Sequence, residues 1–100
     1  MSTDQRIREE ARLIILRLLS ERRDETLNSN IIVRELAEVY GIDEERAWVH
    51  GEMEYLRRMG AVTMMEAATV KVATLTELGR RHIDRKVAIE GVKRPSRAED

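Results

Sequence analysis

The segment Gly41-Ile42-Asp43-Glu44-Glu45-Arg46-Ala47-Trp48-Val49-His50-Gly51-Glu52-Met53-Glu54-Tyr55-Leu56-Arg57-Arg58-Met59-Gly60 decides the fold. Val49, Met53 and Leu56 recur at i, i+4 and i+7, the spacing of one helical face. Asp43 suits an N-cap, and Glu44, Glu45 and Arg46 read as a first turn whose acids complement the helix dipole. Gly60 suits the left-handed residue just past a helix end, and Gly41 has the same role for the helix before. The spacing therefore predicts two helices joined by the short turn Gly41-Ile42-Asp43, a helix-turn-helix.

Working toward the N-terminus, residues 31–40 predict a short helix with Ile32, Val33, Leu36, Ala37 and Tyr40 as its buried stripe. Residues 21–30 read as a polar connector, with Asn28, Ser29 and Asn30 as turn or cap residues. Residues 4–22 predict a first helix, started by Ser2, Thr3 or Asp4. Ile7, Ala11, Ile14, Ile15 and Leu18 make one apolar face. Leu13 and Leu16 fall on the opposite side, so the helix is apolar nearly all round over 13–19. That second face needs a cover, either the C-terminal helix or a partner subunit.

Toward the C-terminus, residues 61–65 and 70–74 are rich in β-branched residues and predict a hairpin across Glu66, Ala67, Ala68 and Thr69. A last helix follows, capped by Thr76 or by Thr74 with Glu77 as a capping box, and running to Val87 or Ile89. The expected layout is one winged-helix domain over 1–90 and a mobile tail over 91–100, where the only proline, Pro95, lies. The fold class is mainly α with a small β-hairpin, in the order α-α-α-β-β-α.

In this order the stretch Val49-His50-Gly51-Glu52-Met53-Glu54-Tyr55-Leu56-Arg57-Arg58-Met59-Gly60-Ala61-Val62 resembles the recognition helix and following strand of ArsR- and MarR-like winged helix-turn-helix regulators. Leu75-Thr76-Glu77-Leu78-Gly79-Arg80 is similar to the segment entering the helix after their wing. The N-terminal helix, this core and Gly91-Val92-Lys93-Arg94-Pro95 look like small winged-helix proteins of Mu-like phages and prophages. The resemblance implies a homodimeric DNA-binding transcriptional regulator, with its terminal helices at the dimer interface. It maps groove contacts near Arg46, Ala47, His50, Gly51 and Glu54.

Composition narrows the chemistry. One hundred residues make one domain. The apolar share is 42% and the charged share 37%, but the net charge is only -1, so overall basicity gives no argument for nucleic acid. There is no cysteine, which excludes a disulfide framework, thiol catalysis and the usual ArsR-type metal ligands. The two histidines, His50 and His82, have no ligand neighbour at a metal-binding spacing and read as surface or boundary residues. No catalytic triad or phosphate loop is present, so no enzyme, metal or cofactor is expected. Neither a signal core nor an apolar run long enough for a membrane is found, and the cytoplasm is the expected location.

Two functional readings follow. In the first, double-stranded DNA is the partner of a homodimer. The candidate contacts are Arg46, His50, Arg57, Arg58 and Lys71, and Leu13, Leu16, Ile83 and Val87 are the candidate dimer interface. Against it, Asp43, Glu44, Glu45, Glu52 and Glu54 crowd the third helix, and acids facing phosphate are repulsive. In the second reading that acidic helix, with Trp48 as anchor, docks on a basic protein partner. Basic charge also gathers at Arg80, Arg81, Arg85, Lys86, Lys93, Arg94 and Arg97, as a solvated face or as a phosphate-contacting strip.

Overall fold

The structure, a computed structural model, describes residues 3–96. Ser2 as a cap and the last four residues of the expected tail, Arg97 among them, lie outside them. The order is α1 (Thr3–Ser20), β1 (Thr26–Asn28), α2 (Ser29–Glu38), α3 (Arg46–Arg58), β2 (Val62–Ala67), β3 (Val70–Leu75) and α4 (Glu77–Ile83). The three strands form one antiparallel sheet in the order β1-β3-β2. This is a winged helix, with β2 and β3 as the wing.

The core gathers on α1. Ile15, Leu16 and Leu19 are fully buried, joined by Ile32 and Leu36 of α2, Val49, Met53 and Leu56 of α3, and Ala73 of β3. Gly60, at φ +81°, ends α3 in a Schellman motif: its N–H donates to the Arg57 carbonyl and that of Ala61 to the Leu56 carbonyl. Thr76 caps α4 directly. Its hydroxyl accepts the Gly79 N–H at 3.1 Å and donates to the Gly60 carbonyl at 2.7 Å, which ties α4 to the end of α3.

Several expectations are corrected. Residues 21–30 are not a plain connector, because Thr26–Asn28 pairs with β3 as Thr26↔Thr74, Leu27↔Ala73 and Asn28↔Val72. Asn28 then caps α2, its Oδ1 accepting the Ile31 N–H at 3.0 Å. The second helix stops at Glu38, which leaves Tyr40 42% exposed rather than in the buried stripe. The third helix starts at Arg46, not at Asp43. Glu45 is its N-cap and makes no side-chain capping bond, so Asp43, Glu44 and Glu45 precede the helix. The hairpin closes on Ala68 and Thr69, with Ala68 taking φ +57° in place of a glycine.

The largest corrections concern the C-terminus. The last helix ends at Ile83 because residues 84–96 turn back across α1. Arg85, at φ +62°, closes α4 in a second Schellman motif, with Arg85 N–H donating to His82 and Lys86 N–H to Arg81. His82 is no surface residue: it is fully buried. Its Nδ1 accepts the Ile89 N–H at 3.0 Å and its Nε2 donates to the Lys93 carbonyl at 2.9 Å, so one neutral imidazole holds two points of the returning chain. Lys93 N–H donates to the Glu9 carbonyl, and Ile89 and Val92 enter the core. Over 91–96 the expected mobile tail is therefore a packed segment. It also supplies the cover α1 needed. Leu13 and Leu16, expected at a dimer interface, are 3% and 0% exposed within this single chain. Ile83 and Val87 are half-buried against the same core.

Candidate nucleic-acid interface

Helix α3 has two sides with opposite chemistry. On the inner side Glu52 is 1% exposed. Its Oε1 accepts from Arg12 Nε at 2.7 Å and its Oε2 from Arg8 Nη1 at 2.6 Å, both arginines rising from α1 one turn apart. Arg12 also donates to the Gly91 carbonyl at 2.8 Å and lies 3.7 Å over the Tyr55 ring, whose hydroxyl donates to the Glu90 carbonyl at 2.8 Å. Arg8 reaches over Trp48 at 5.4 Å. Trp48 is half-buried against the core, so it packs within the chain. A buried carboxylate costs several kcal/mol unless paired, and here both oxygens are paired. The network joins α1, α3 and the returning C-terminal segment.

This placement corrects one premise of the sequence reading. Glu52 does not belong to the outward face of α3. Glu54 is partly exposed and bound to Arg57, whose hydrogen bond holds the Glu54 carboxyl below the usual carboxylate range. What α3 turns outward is Arg46, Ala47, Gly51, Arg57 and Arg58, with His50 and Glu54 half-covered. A Cβ at Gly51 would meet nothing within 4 Å, so this face is open above the backbone.

The N-terminal half of that face meets the wing in a groove of about 390 Å³, lined by Arg46, Ala47, His50, Glu66, Ala68, Thr69, Val70 and Lys71. Its geometry follows from β1. After Asn28↔Val72 the next position across would be Ser29 with Lys71, but Ser29 opens α2 and leaves the ladder. The Ser29 side chain takes over, accepting the Lys71 N–H at 3.0 Å. The same Oγ lies 2.9 Å from His50 Nε2. One buried hydroxyl thus fixes the wing, α2 and α3 to each other. Burial, then the Lys71 and Arg46 cations, holds the His50 imidazole below the ordinary histidine range, with Glu66 opposing. Arg46 Nη1 reaches Asn30 at 3.3 Å, and Lys71 Nζ pairs with the exposed Glu66 at 3.2 Å.

Of the five candidate contacts, Arg46, His50 and Lys71 converge on this groove, while Arg57 and Arg58 lie beyond it at the far end of α3. Of the basic residues on the last helix and the segment after it, Arg80 pairs with Glu25, Arg85 donates to the Pro95 carbonyl and Lys93 lies 3.6 Å from Glu10. Arg81, Lys86 and Arg94 are exposed. By sequence Ser29 is only a turn or cap residue, and its link to His50 has no signal in spacing because 21 residues separate them. Among the described residues no group of three or more His, Cys, Asp or Glu is placed to hold a metal, and no helix is long and apolar enough to cross a membrane.

No protein-family model matches the chain. Among solved structures, it is similar to hsRosR-S1 in a complex, at TM-score 0.62 and 25% identity over 78% of this chain and 68% of that one. It is likewise similar to hsRosR-S4 in a complex, at TM-score 0.59 and 25% identity over 80% of this chain and 62% of the other, so it spans less than two thirds of that relative's length. In sequence it is 32% identical to gp26 of Escherichia phage Mu over 87 residues, which are 87% of this chain and 88% of the phage protein. Identity over nearly the whole of both chains shows that this winged-helix protein belongs to the family of phage Mu gp26.

Proposed function

We propose that the protein binds double-stranded DNA through the outer side of α3 and the wing, as a transcriptional regulator of phage type. The observation that carries this reading is the inward burial of Glu52 against Arg8 and Arg12. It removes one acid from the outward face of α3 and leaves Arg46, Arg57 and Arg58 exposed along it. The likeness in fold to two chains solved in complexes supports a binding role for the domain. Arginine and lysine at these positions suit phosphate contacts, which position a protein on the duplex without reading sequence.

The alternative, a protein-docking helix, rested on the acidity of α3 and on Trp48 as anchor. Trp48 packs against the core and Glu52 is internal, which weakens that reading, while Asp43, Glu44 and Glu45 stay exposed just before α3. A homodimer would set two such helices on a two-fold site. With Leu13 and Leu16 consumed by the core, its interface falls to residues such as the half-buried Ile83 and Val87.

The test is the salt dependence of binding to a random-sequence duplex. Each phosphate contact contributes a slope of about -0.9 in log affinity against log salt. Arg57→Ala together with Arg58→Ala is expected to weaken binding and to flatten the slope by about one to two. Unchanged affinity and slope in the folded variant would remove this end of α3 from the interface.

A further inference from the structure

The groove holds one side chain whose hydrogen-bonding form is dictated by the fold. Ser29 is fully buried, and its Oγ has two partners: the Lys71 N–H, which donates to it at 3.0 Å, and His50 Nε2 at 2.9 Å. A serine hydroxyl carries one hydrogen and needs an acceptor for it. The Lys71 amide can only donate, so the acceptor is His50 Nε2. If His50 Nε2 carried the proton instead, the buried Ser29 hydrogen would have no acceptor, at the usual cost of an unsatisfied buried group. The neutral imidazole therefore bears its hydrogen on Nδ1. Nε2 is turned inward and engaged, and among the described residues Nδ1 has no hydrogen-bond partner, while the ring lines the groove. Protonation would set a second N–H against a hydroxyl already accepting from Lys71. Burial and the Lys71 and Arg46 cations act in the same direction, toward the neutral ring.

Resting on the DNA-binding reading above, we propose that His50 is the specificity-determining residue of the groove: a neutral imidazole, locked by Ser29 as the Nδ1–H tautomer, that donates one hydrogen bond to an acceptor on a base edge. Guanine is the base it fits best. Guanine offers two adjacent acceptors, N7 and O6, in the major groove, whereas adenine sets a donor beside its N7 and thymine a methyl beside its O4. Arg46 and Lys71 flank the ring as phosphate contacts. Ser29 is a positioning residue that acts only through His50 and the wing.

Two measurements test this. In the first, a duplex library with a randomised central segment is selected with the wild-type protein, with His50→Ala and with Ser29→Ala, and sequenced. Affinity for a random duplex is measured in parallel. The wild type is expected to enrich guanine at one position of each bound site, and both variants to lose that preference by on the order of tenfold beyond any loss of random-duplex affinity. An unchanged motif in the variants, or no motif from a wild type that binds, overturns the role of His50 and leaves DNA binding standing. A wild type that fails to bind random duplex removes the DNA-binding reading and this inference with it. The second measurement needs neither DNA nor a variant. The nitrogen shifts of the His50 ring in the free protein near neutral pH are expected to show a protonated Nδ1 and a bare Nε2, and a proton on Nε2 overturns the lock.

Discussion

Glu52 and Glu54 stand two residues apart on α3, yet the helix sends them to opposite environments. Glu52 is sealed between Arg8 and Arg12 in the protein interior, while Glu54 stands at the edge of the outer face on Arg57. In a charge count along the sequence they are equal arguments against nucleic acid. In space, one is an internal strut that ties α1 to α3 and to the returning C-terminal segment, and only the other contributes to the outward field. The electrostatics of a recognition helix depends on which of its charges the fold has already neutralised.

The sharpest way to break that contrast is to remove each acid in turn. Glu52→Ala leaves Arg12, whose side chain is 8% exposed, buried without its carboxylate. Loss of one partner of a buried pair costs about 3 to 5 kcal/mol, and a shift of that size is expected in urea unfolding. Glu54→Ala, judged by the same measurement, is expected to be indistinguishable from wild type, because exposed pairs contribute little. Equal effects from the two variants would mean that the inner network carries no special weight.

A second contrast is between the two histidines. His82 spends both ring nitrogens on the chain's own backbone, whereas His50 spends one. His82→Leu leaves the Ile89 amide and the Lys93 carbonyl without partners, at a cost of about 2 to 3 kcal/mol. Hydrogen exchange at the Ile89 and Val92 amides should accelerate more than exchange in α2, since the segment over 84–96 loses its anchor. A uniform acceleration across the chain would place the anchor elsewhere.

The hairpin gives a smaller effect of opposite sign. Ala68 at φ +57° occupies a conformation that costs an L-residue roughly 1 kcal/mol. Ala68→Gly is expected to raise stability by about 0.5 to 1 kcal/mol, seen as a higher thermal midpoint. A decrease would show that the alanine side chain is used.

The smallest effect is a pH dependence. His50 is held below its ordinary value of 6.5, so the folded state favours the neutral ring. As pH falls below about 6.5 the unfolded chain takes up a proton that the folded chain resists, and stability declines toward acid. Above that value the contribution is constant. The wild type should therefore lose slightly more stability than His50→Gln between neutral pH and pH 5, in paired urea titrations. Parallel curves would mean that the ring is not held neutral.

Much of the fold is legible in residue spacing, and the reasons for the rest are physical. Gly41 and Gly60 mark helix ends because few other residues take positive φ freely, and Val49, Met53 and Leu56 mark the inner face of α3 by period alone. Strand β1 escapes such reading: it has three residues and one buried side chain, Leu27, so it has no period to detect. The start of α3 misleads because Asp43 is the better cap in isolation, whereas the helix begins after Glu45 without a side-chain cap. The fate of the C-terminus is hidden because it hangs on one imidazole, His82, reaching 7 and 11 residues along the chain. The Glu52 network did leave a trace. Arg8 and Arg12 stand one turn apart, and Arg12 is set directly before the apolar run of α1, where an unpaired charge would be costly. The groove was half legible, since Arg46, His50 and Lys71 were singled out by type, while Ser29 needed the sheet register to be seen.

The most direct test of the division between the two sides of α3 is an amide chemical-shift titration of the protein with a short random duplex at low salt. Shifts concentrated at Arg46, Ala47, His50, Gly51, Arg57, Arg58 and Lys71, with Glu52 and Val92 unmoved, are the expected result. Saturating shifts centred on Arg8, Arg12 and the segment over 84–96, or none at all in the folded protein, would contradict it.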